Sequence, residues 1–227
     1  MSSPEAIRAF RLTLFATGAA TVLNTILGLI LSLTLARQRF WGRALLDGLI
    51  DMPFAISPVI AGLMLIVVYG PTGWLGPILE PLGFRVVYHW PALVLATSFV
   101  TLPFVIREVV PVLKEFGIDQ EEVAETLGAG WWRTFRQVTL PSIRWGLAYG
   151  IALTIARGLG EFGALLVVSG NVLGRTQTAT LFIHDAVENF DNQAAYAASL
   201  VLAAISFALL LLIEYARAKV AEREERS

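Results

Sequence analysis

Leu12 to Ala36 run without a single charged side chain. A helix crosses the hydrocarbon core of a bilayer in roughly 20 apolar residues, so this run is long enough to span a membrane. Four more runs follow: Met52 to Tyr69, with Pro53 and Pro58 near its start; Val86 to Ile106; Trp145 to Ser169; and Ala194 to Tyr215. One such run fits a buried helix of a soluble protein. Five of them in 227 residues leave too little polar sequence to cover a globule. Charged residues make up 15% of the chain, against about 25% in soluble domains. No Ala-x-Ala-like cleavage site follows the first run, so it reads as a retained helix. The sequence predicts an all-α membrane protein, a polytopic helical bundle of five transmembrane helices forming one domain over 1–227.

Charge sets the expected orientation. Twelve of the seventeen Lys and Arg residues lie in the segments after runs one, three and five. These are Arg37, Arg39 and Arg43; Arg107, Lys114, Arg133, Arg136 and Arg144; and Arg217, Lys219, Arg223 and Arg226. The positive-inside rule makes that side cytoplasmic. For the chain as written, the N-terminus is then outside and the C-terminus inside. Arg8 and Arg11 sit against the rule. The net charge of −1 offers no basic field for nucleic acid. The absence of cysteine excludes disulfides, zinc–thiolate sites and thiol catalysis.

Within the fourth run, "IARGLGEFGAL" spells a G-x-G-x-x-G through Gly158, Gly160 and Gly163. It follows no strand and lies in an apolar run, so a dinucleotide loop is not expected. The glycines fit close helix packing in a membrane. Arg157 and Glu161 are spaced i, i+4 and can pair on one helix face. The pair is either a structural lock or part of a route through the membrane, with Glu161 tempering the Arg157 charge.

The segment 107–144 is the most informative loop. Asp119 with Glu122 three residues later has capping-box spacing, and Leu127–Gly128 reads as a helix end. A second helix, Trp131 to Val138, is expected to stop before Pro141. Two short amphipathic helices joined at a glycine can lie on the membrane surface or fit a groove on a partner, and the residues alone leave both open.

A resemblance separates the two. Glu122-Val123-Ala124, then three residues, Gly128, nine residues and Val138-Thr139-Leu140-Pro141 resembles the E-A-A-x3-G-x9-I-x-L-P signature of ABC-importer permeases. Valine replaces alanine at 123 and isoleucine at 138. The stretches "DMPFAISPVIAGLMLIVVYG", "SFVTLPFVIRE" and "GEFGALLVVSGNVLGRTQTATL" resemble the sulfate/thiosulfate permeases, the W-type subunit especially, and are less closely similar to molybdate and tungstate permeases. Sulfate-type permeases usually carry one more N-terminal span. Five spans is closer to the molybdate and tungstate relatives.

The resemblance implies a type I ABC-importer permease fold, with 107–144 as the cytoplasmic coupling loop and the chain in the cytoplasmic (inner) membrane. It implies a second permease subunit, in a homodimer or heterodimer, two ATPase subunits and an extracytoplasmic binding protein. ATP and Mg belong to the ATPase; this chain has no G-x-x-x-x-G-K-[ST], and neither an enzymatic role nor a cofactor is expected of it. By motif position Glu122 caps and orients the coupling helix, Ala124 packs into the ATPase groove, Gly128 permits the turn, and Leu140 and Pro141 set the exit. The implied cargo is a tetrahedral oxyanion, sulfate or thiosulfate first and molybdate or tungstate second. An ATP-independent anion transporter or channel would leave this loop unexplained. A membrane enzyme would need polar groups converging at one depth.

Other polar residues carry two readings each. Ser57 beside Pro58 faces the pathway or rescues freed backbone groups. Arg175, Thr176 and Thr178 in "GRTQT" meet the binding protein or form a plain polar loop. His89 and His184 lack ligand spacing to carboxylates, and no metal site is expected.

Overall fold

A computed structural model describes residues 4–224, and of residues 213, 214 and 216–224 the backbone only. The side chains of Arg217, Lys219 and Arg223, and all of Arg226, lie outside the described residues. The elements are α1 (Pro4–Arg37), α2 (Arg43–Ala55), α3 (Pro58–Tyr69), the single turn α4 (Gly76–Leu79), α5 (Trp90–Phe116), α6 (Asp119–Thr126), α7 (Trp131–Thr134), α8 (Leu140–Leu159), α9 (Gly163–Val168), α10 (Ala179–Glu188) and α11 (Asn192–Glu224). No strand occurs among the described residues.

α1 is built inside out relative to a helix in water. It buries Thr13, Thr17, Thr21, Asn24, Gly28 and Ser32, and it exposes Leu14, Phe15, Val22, Ile26, Leu27 and Ile30. Small and polar residues face the protein because they let backbones approach and hydrogen-bond, while lipid solvates the large aliphatic side chains. Two of the buried hydroxyls are satisfied locally: Thr13 Oγ1 donates to the Ala9 carbonyl at 3.0 Å and Thr21 Oγ1 to the Thr17 carbonyl at 2.8 Å. Asn24 Nδ2 crosses to α5, donating to the Ser98 carbonyl at 2.9 Å and to Thr101 Oγ1 at 2.8 Å.

α5 is the central post, packed along α1 on one side and α8 on the other. Gly28 admits Val105, whose Cγ1 lies 2.7 Å from where a Gly28 Cβ would stand. A buried cluster of Ala16, Leu93, Ala96, Val100, Leu165, Val168 and Leu181 ties α1 and α5 to α9 and α10. A second cluster, Val105, Val109, Leu113 and Ile143, closes the far end.

Not all five spans expected from the sequence are continuous helices. Among the described residues three helices are long and apolar enough to cross a membrane: α1, α5 and Asn192–Leu212 of α11. The run 52–69 is broken at Ile56–Ser57, where α2 and α3 meet at a 118° bend. Pro58 opens α3 and has no N–H to continue α2's ladder. The run 145–169 is broken at Gly160–Phe162, between α8 and α9. α5 starts at Trp90, four residues after the expected start, and continues ten residues past the expected end at Ile106, through Pro111 to Phe116.

Pro141 also departs from expectation. The chain stays helical from Trp131 through Leu159, passing through a π-helical turn over Phe135–Thr139. There the Leu140 N–H bonds the Phe135 carbonyl, five residues back. The wider turn gives the Pro141 ring room that an α-helical turn denies it.

Candidate functional site

The hairpin α6–α7 holds the first half of the motif, Glu122, Ala124 and Gly128, and the π turn and α8 hold the second. α6 ends at Thr126, and Gly128 adopts φ +85°, a left-handed conformation that an L side chain rarely takes. The Gly128 N–H bonds Glu125 and the Ala129 N–H bonds Ala124, closing the turn. The chain then reverses into α7, where Trp131 and Trp132 each stack on Phe135, just beyond the helix, at 5.8 Å between ring centroids. The two halves of the motif converge: Ala124 and Val138 line one groove of about 400 Å³ with Val123 and Leu127. Leu127 is 82% exposed and Val123 57%. An exposed apolar groove bounded by Asp119 and Gln120 of α6 is an interaction surface in form.

The expected capping box does not form. Ile118, not Asp119, is the N-cap residue, and no side chain caps the helix. Glu122 consequently sits on the exposed face of α6. Its neighbour Glu121 turns inward, where its Oε1 accepts from Arg37 Nη2 at 2.9 Å and from Thr139 Oγ1 at 2.8 Å. The motif spacing gives no hint of Glu121. Leu140 and Pro141 open α8 directly beyond the π turn.

The break between α8 and α9 gathers the path candidates. Glu161 is 1% exposed. Its Oε1 accepts the Ala164 N–H at 3.0 Å, and its Oε2 lies 2.7 Å from Arg157 Nη1, an ion pair without hydrogen-bond alignment. Its backbone carbonyl accepts from Thr180 Oγ1 at 2.7 Å. Arg157 keeps about a third of its side chain exposed. Two glycines of the G-x-G-x-x-G stretch are close-packed: a Cβ on Gly158 would come 2.9 Å from Thr17 Cγ2, and one on Gly163 3.2 Å from Pro58 Cβ. Gly160 only ends α8 and has room around it. The Gly163–Pro58 contact brings the two broken runs together, with exposed Ser57 beside it.

The loop between α9 and α10 resolves its own candidates. Thr176 and Thr178 are 2% and 0% exposed, so they do not meet an arriving protein. Thr176 Oγ1 accepts the Val172 N–H at 3.0 Å, and Thr178 Oγ1 lies 3.1 Å from Thr180 Oγ1. Arg175 is exposed and remains available. His184, Asp185 and Glu188 bring ligand atoms within 4.8 Å of one another, an arrangement not anticipated for His184. Both Asp185 oxygens already accept, from Asn171 Nδ2 and Gln177 Nε2. The His184 ring stacks on Phe162 at 5.1 Å. A cation there would have to displace these partners.

One polar site was missed altogether. Arg107 on α5 donates from Nε to Asp51 Oδ1 at 2.8 Å and from Nη2 to Asp47 Oδ1 at 2.9 Å. Asp47 and Asp51 are i, i+4 on α2, so one guanidinium fork clamps that helix to the central post. Two acids one turn apart, just before an apolar run, were the readable signal.

Comparison with known proteins agrees with this architecture. Residues 24–222 match the family model described as binding-protein-dependent transport system inner membrane component. The Synechococcus elongatus sulfate transport system permease protein CysW is 50% identical over 204 residues, covering 90% of this chain and 71% of that protein. The chloroplastic sulfate permease 2 of Chlamydomonas reinhardtii is 46% identical over 209 residues, covering 92% of this chain and 57% of the relative's length. A chain of a bacterial alginate ABC transporter crystallised with its alginate-bound periplasmic protein superposes with a TM-score of 0.77 at 19% identity, covering 96% of this chain and 80% of that one. On the extent of the family match and the identity to these relatives, the chain belongs to the binding-protein-dependent transport system inner membrane component family.

Proposed function

We propose that the chain is the permease subunit of an ATP-driven importer for a tetrahedral oxyanion, sulfate or thiosulfate. The observation that carries the importer assignment is the exposed groove in which Ala124 and Val138, from the two halves of one motif, come together. The groove is the docking face for an ATPase subunit, which binds ATP and Mg. A second permease, the sister subunit of a heterodimer, covers apolar surface that α11 leaves exposed at Leu200, Phe207 and Leu211. An extracytoplasmic binding protein delivers the anion from the other side, meeting exposed Arg175. The identity to sulfate permeases supports the cargo.

The route runs by the paired helix breaks. Irregular backbone at membrane depth is tolerated where it lines a cavity or is buried in protein. Arg157 brings a guanidinium, whose planar fork suits oxyanions. Glu161 is held by Arg157 and by the Ala164 N–H, so it does not confront the passing anion as a bare charge. Ser57 offers a hydroxyl at the facing break.

The test is uptake of labelled sulfate into proteoliposomes holding both permeases and the ATPase, with the binding protein outside. Uptake that needs ATP inside, stops with vanadate and is unaffected by excess molybdate supports the assignment. Molybdate uptake in preference to sulfate overturns the cargo, and uptake without ATP overturns the importer.

A further inference from the structure

Glu121 stands one position before the motif and is not used by it, yet its carboxylate takes bonds from the end of α1 and from the π turn, and its α1 partner also reaches α5. Arg37 is the last residue of α1, and its Nη2 reaches Glu121 Oε1 at 2.9 Å. Its Nη1 donates to the Leu113 carbonyl in the last turn of α5 at 3.0 Å. Thr139, closing the π turn before α8, donates to the same Glu121 oxygen at 2.8 Å. Both partners of the ion pair are more than four-fifths buried.

Little else holds the hairpin sideways. α6 packs principally on α7 and the π turn, which are its own continuation. Beside the ion pair lies a cavity of about 310 Å³ lined by Leu33, Thr34, Arg37, Glu121, Trp131 and Phe135. Apolar packing therefore does not fill the space between the hairpin and α1. A packing contact is non-directional and allows sliding. A directed, charge-assisted bond resists both push and pull.

We propose that Arg37, Glu121 and Thr139 form the link that carries displacement of the docking hairpin into α1, with Glu121 as its positioning residue. This rests on the hairpin being the ATPase-docking face. Glu121 touches neither cargo nor nucleotide; it acts by fixing where the hairpin stands relative to the spans. A complex lacking the link still docks its ATPase and hydrolyses ATP, but hairpin movement dissipates before reaching the membrane helices.

The experiment uses the whole complex in proteoliposomes and reads labelled sulfate moved per ATP hydrolysed. Glu121→Leu, which removes the acceptor, is expected to lower this ratio about tenfold, within the usual range of coupling between sites. ATPase copurification is expected to be unchanged. Glu121→Gln keeps an acceptor oxygen and should retain more of the ratio than Glu121→Leu. Arg37→Met breaks the link from the other side and should match Glu121→Leu, which covers the case in which one variant folds poorly. An unchanged ratio in both Glu121→Leu and Arg37→Met overturns the proposal. So does loss of ATPase copurification in Glu121→Leu and Glu121→Gln, because Glu121 would then hold the docking face itself. Failure of the unaltered permease to copurify with an ATPase overturns the docking assignment instead.

Discussion

The Arg157 guanidinium and the Glu161 carboxylate meet at 2.7 Å across the end of α8, and the other carboxylate oxygen takes the Ala164 N–H in the first turn of α9. One side chain thus neutralises a cation and caps the next helix. Glu161→Ala removes both contacts. With Arg157 partly exposed, the expected destabilisation is about 1–3 kcal/mol, read as a lower melting temperature in detergent. Arg157→Gln should leave subunit assembly intact while reducing sulfate uptake. Equal losses of assembly and uptake would make the pair a structural lock only.

Gly62 of α3 lies against the α9 backbone. A Cβ there would stand 2.8 Å from the Ala164 carbonyl oxygen, and backbone cannot swing aside as a flexible side chain does. Gly62→Val should therefore separate the two half-helices. Overpacking of this kind costs about 1–3 kcal/mol, measurable as reduced yield of folded protein from membranes. Wild-type yield and stability would show that α3 and α9 are free to move apart.

At the α6–α7 hairpin, Gly128 has open space but a left-handed backbone. Gly128→Asp should fail through conformation, at about 1–2 kcal/mol, while Ala124→Trp should fail by filling the groove. Both variants are expected to insert into the membrane and to lose ATPase copurification. Normal copurification with normal uptake would remove the hairpin from the coupling role.

Arg107 clamps Asp47 and Asp51 from a partly exposed position, with each acid about half exposed. Solvent and salt weaken such pairs to about 1 kcal/mol or less. Arg107→Ala should cost little stability, and its cost should shrink further at high salt. Arg107→Lys should recover only part of it, because a single ammonium does not reproduce the fork. A salt-independent loss would place the clamp in a drier environment than its exposure indicates.

Asn24 offers a smaller test. Interhelical side-chain bonds in membrane proteins average about 0.6 kcal/mol. Asn24→Leu, similar in volume, should lower stability by roughly that amount, and Thr101 keeps its own bond to the Thr97 carbonyl at 2.7 Å. A collapse of folding would show that the Ser98 carbonyl contact organises the α1–α5 pair.

Much of this was readable in one dimension. Uncharged length announces membrane helices because lipid penalises charge wherever it stands. The Arg157–Glu161 pairing follows from its spacing, and the Gly128 turn from the local cost of a left-handed residue. The helix breaks were hidden, because glycines and prolines in an apolar run look alike whether the helix bends, packs or stops. Glu121 was hidden by a one-residue difference. With Asp119 inside α6 and not capping it, Glu122 faces out and its neighbour faces in.

By itself, then, the sequence determined the membrane class, the motif and the Gly128 turn, since these depend on composition and near-neighbour conformational preference. Only the tertiary structure decided that Arg37 finds Glu121, that Arg107 finds Asp47 and Asp51, and that Thr176 and Thr178 are buried. These partners stand far apart in the chain or depend on how distant elements pack, so each is set by where the helices come to rest against one another, which no local preference encodes.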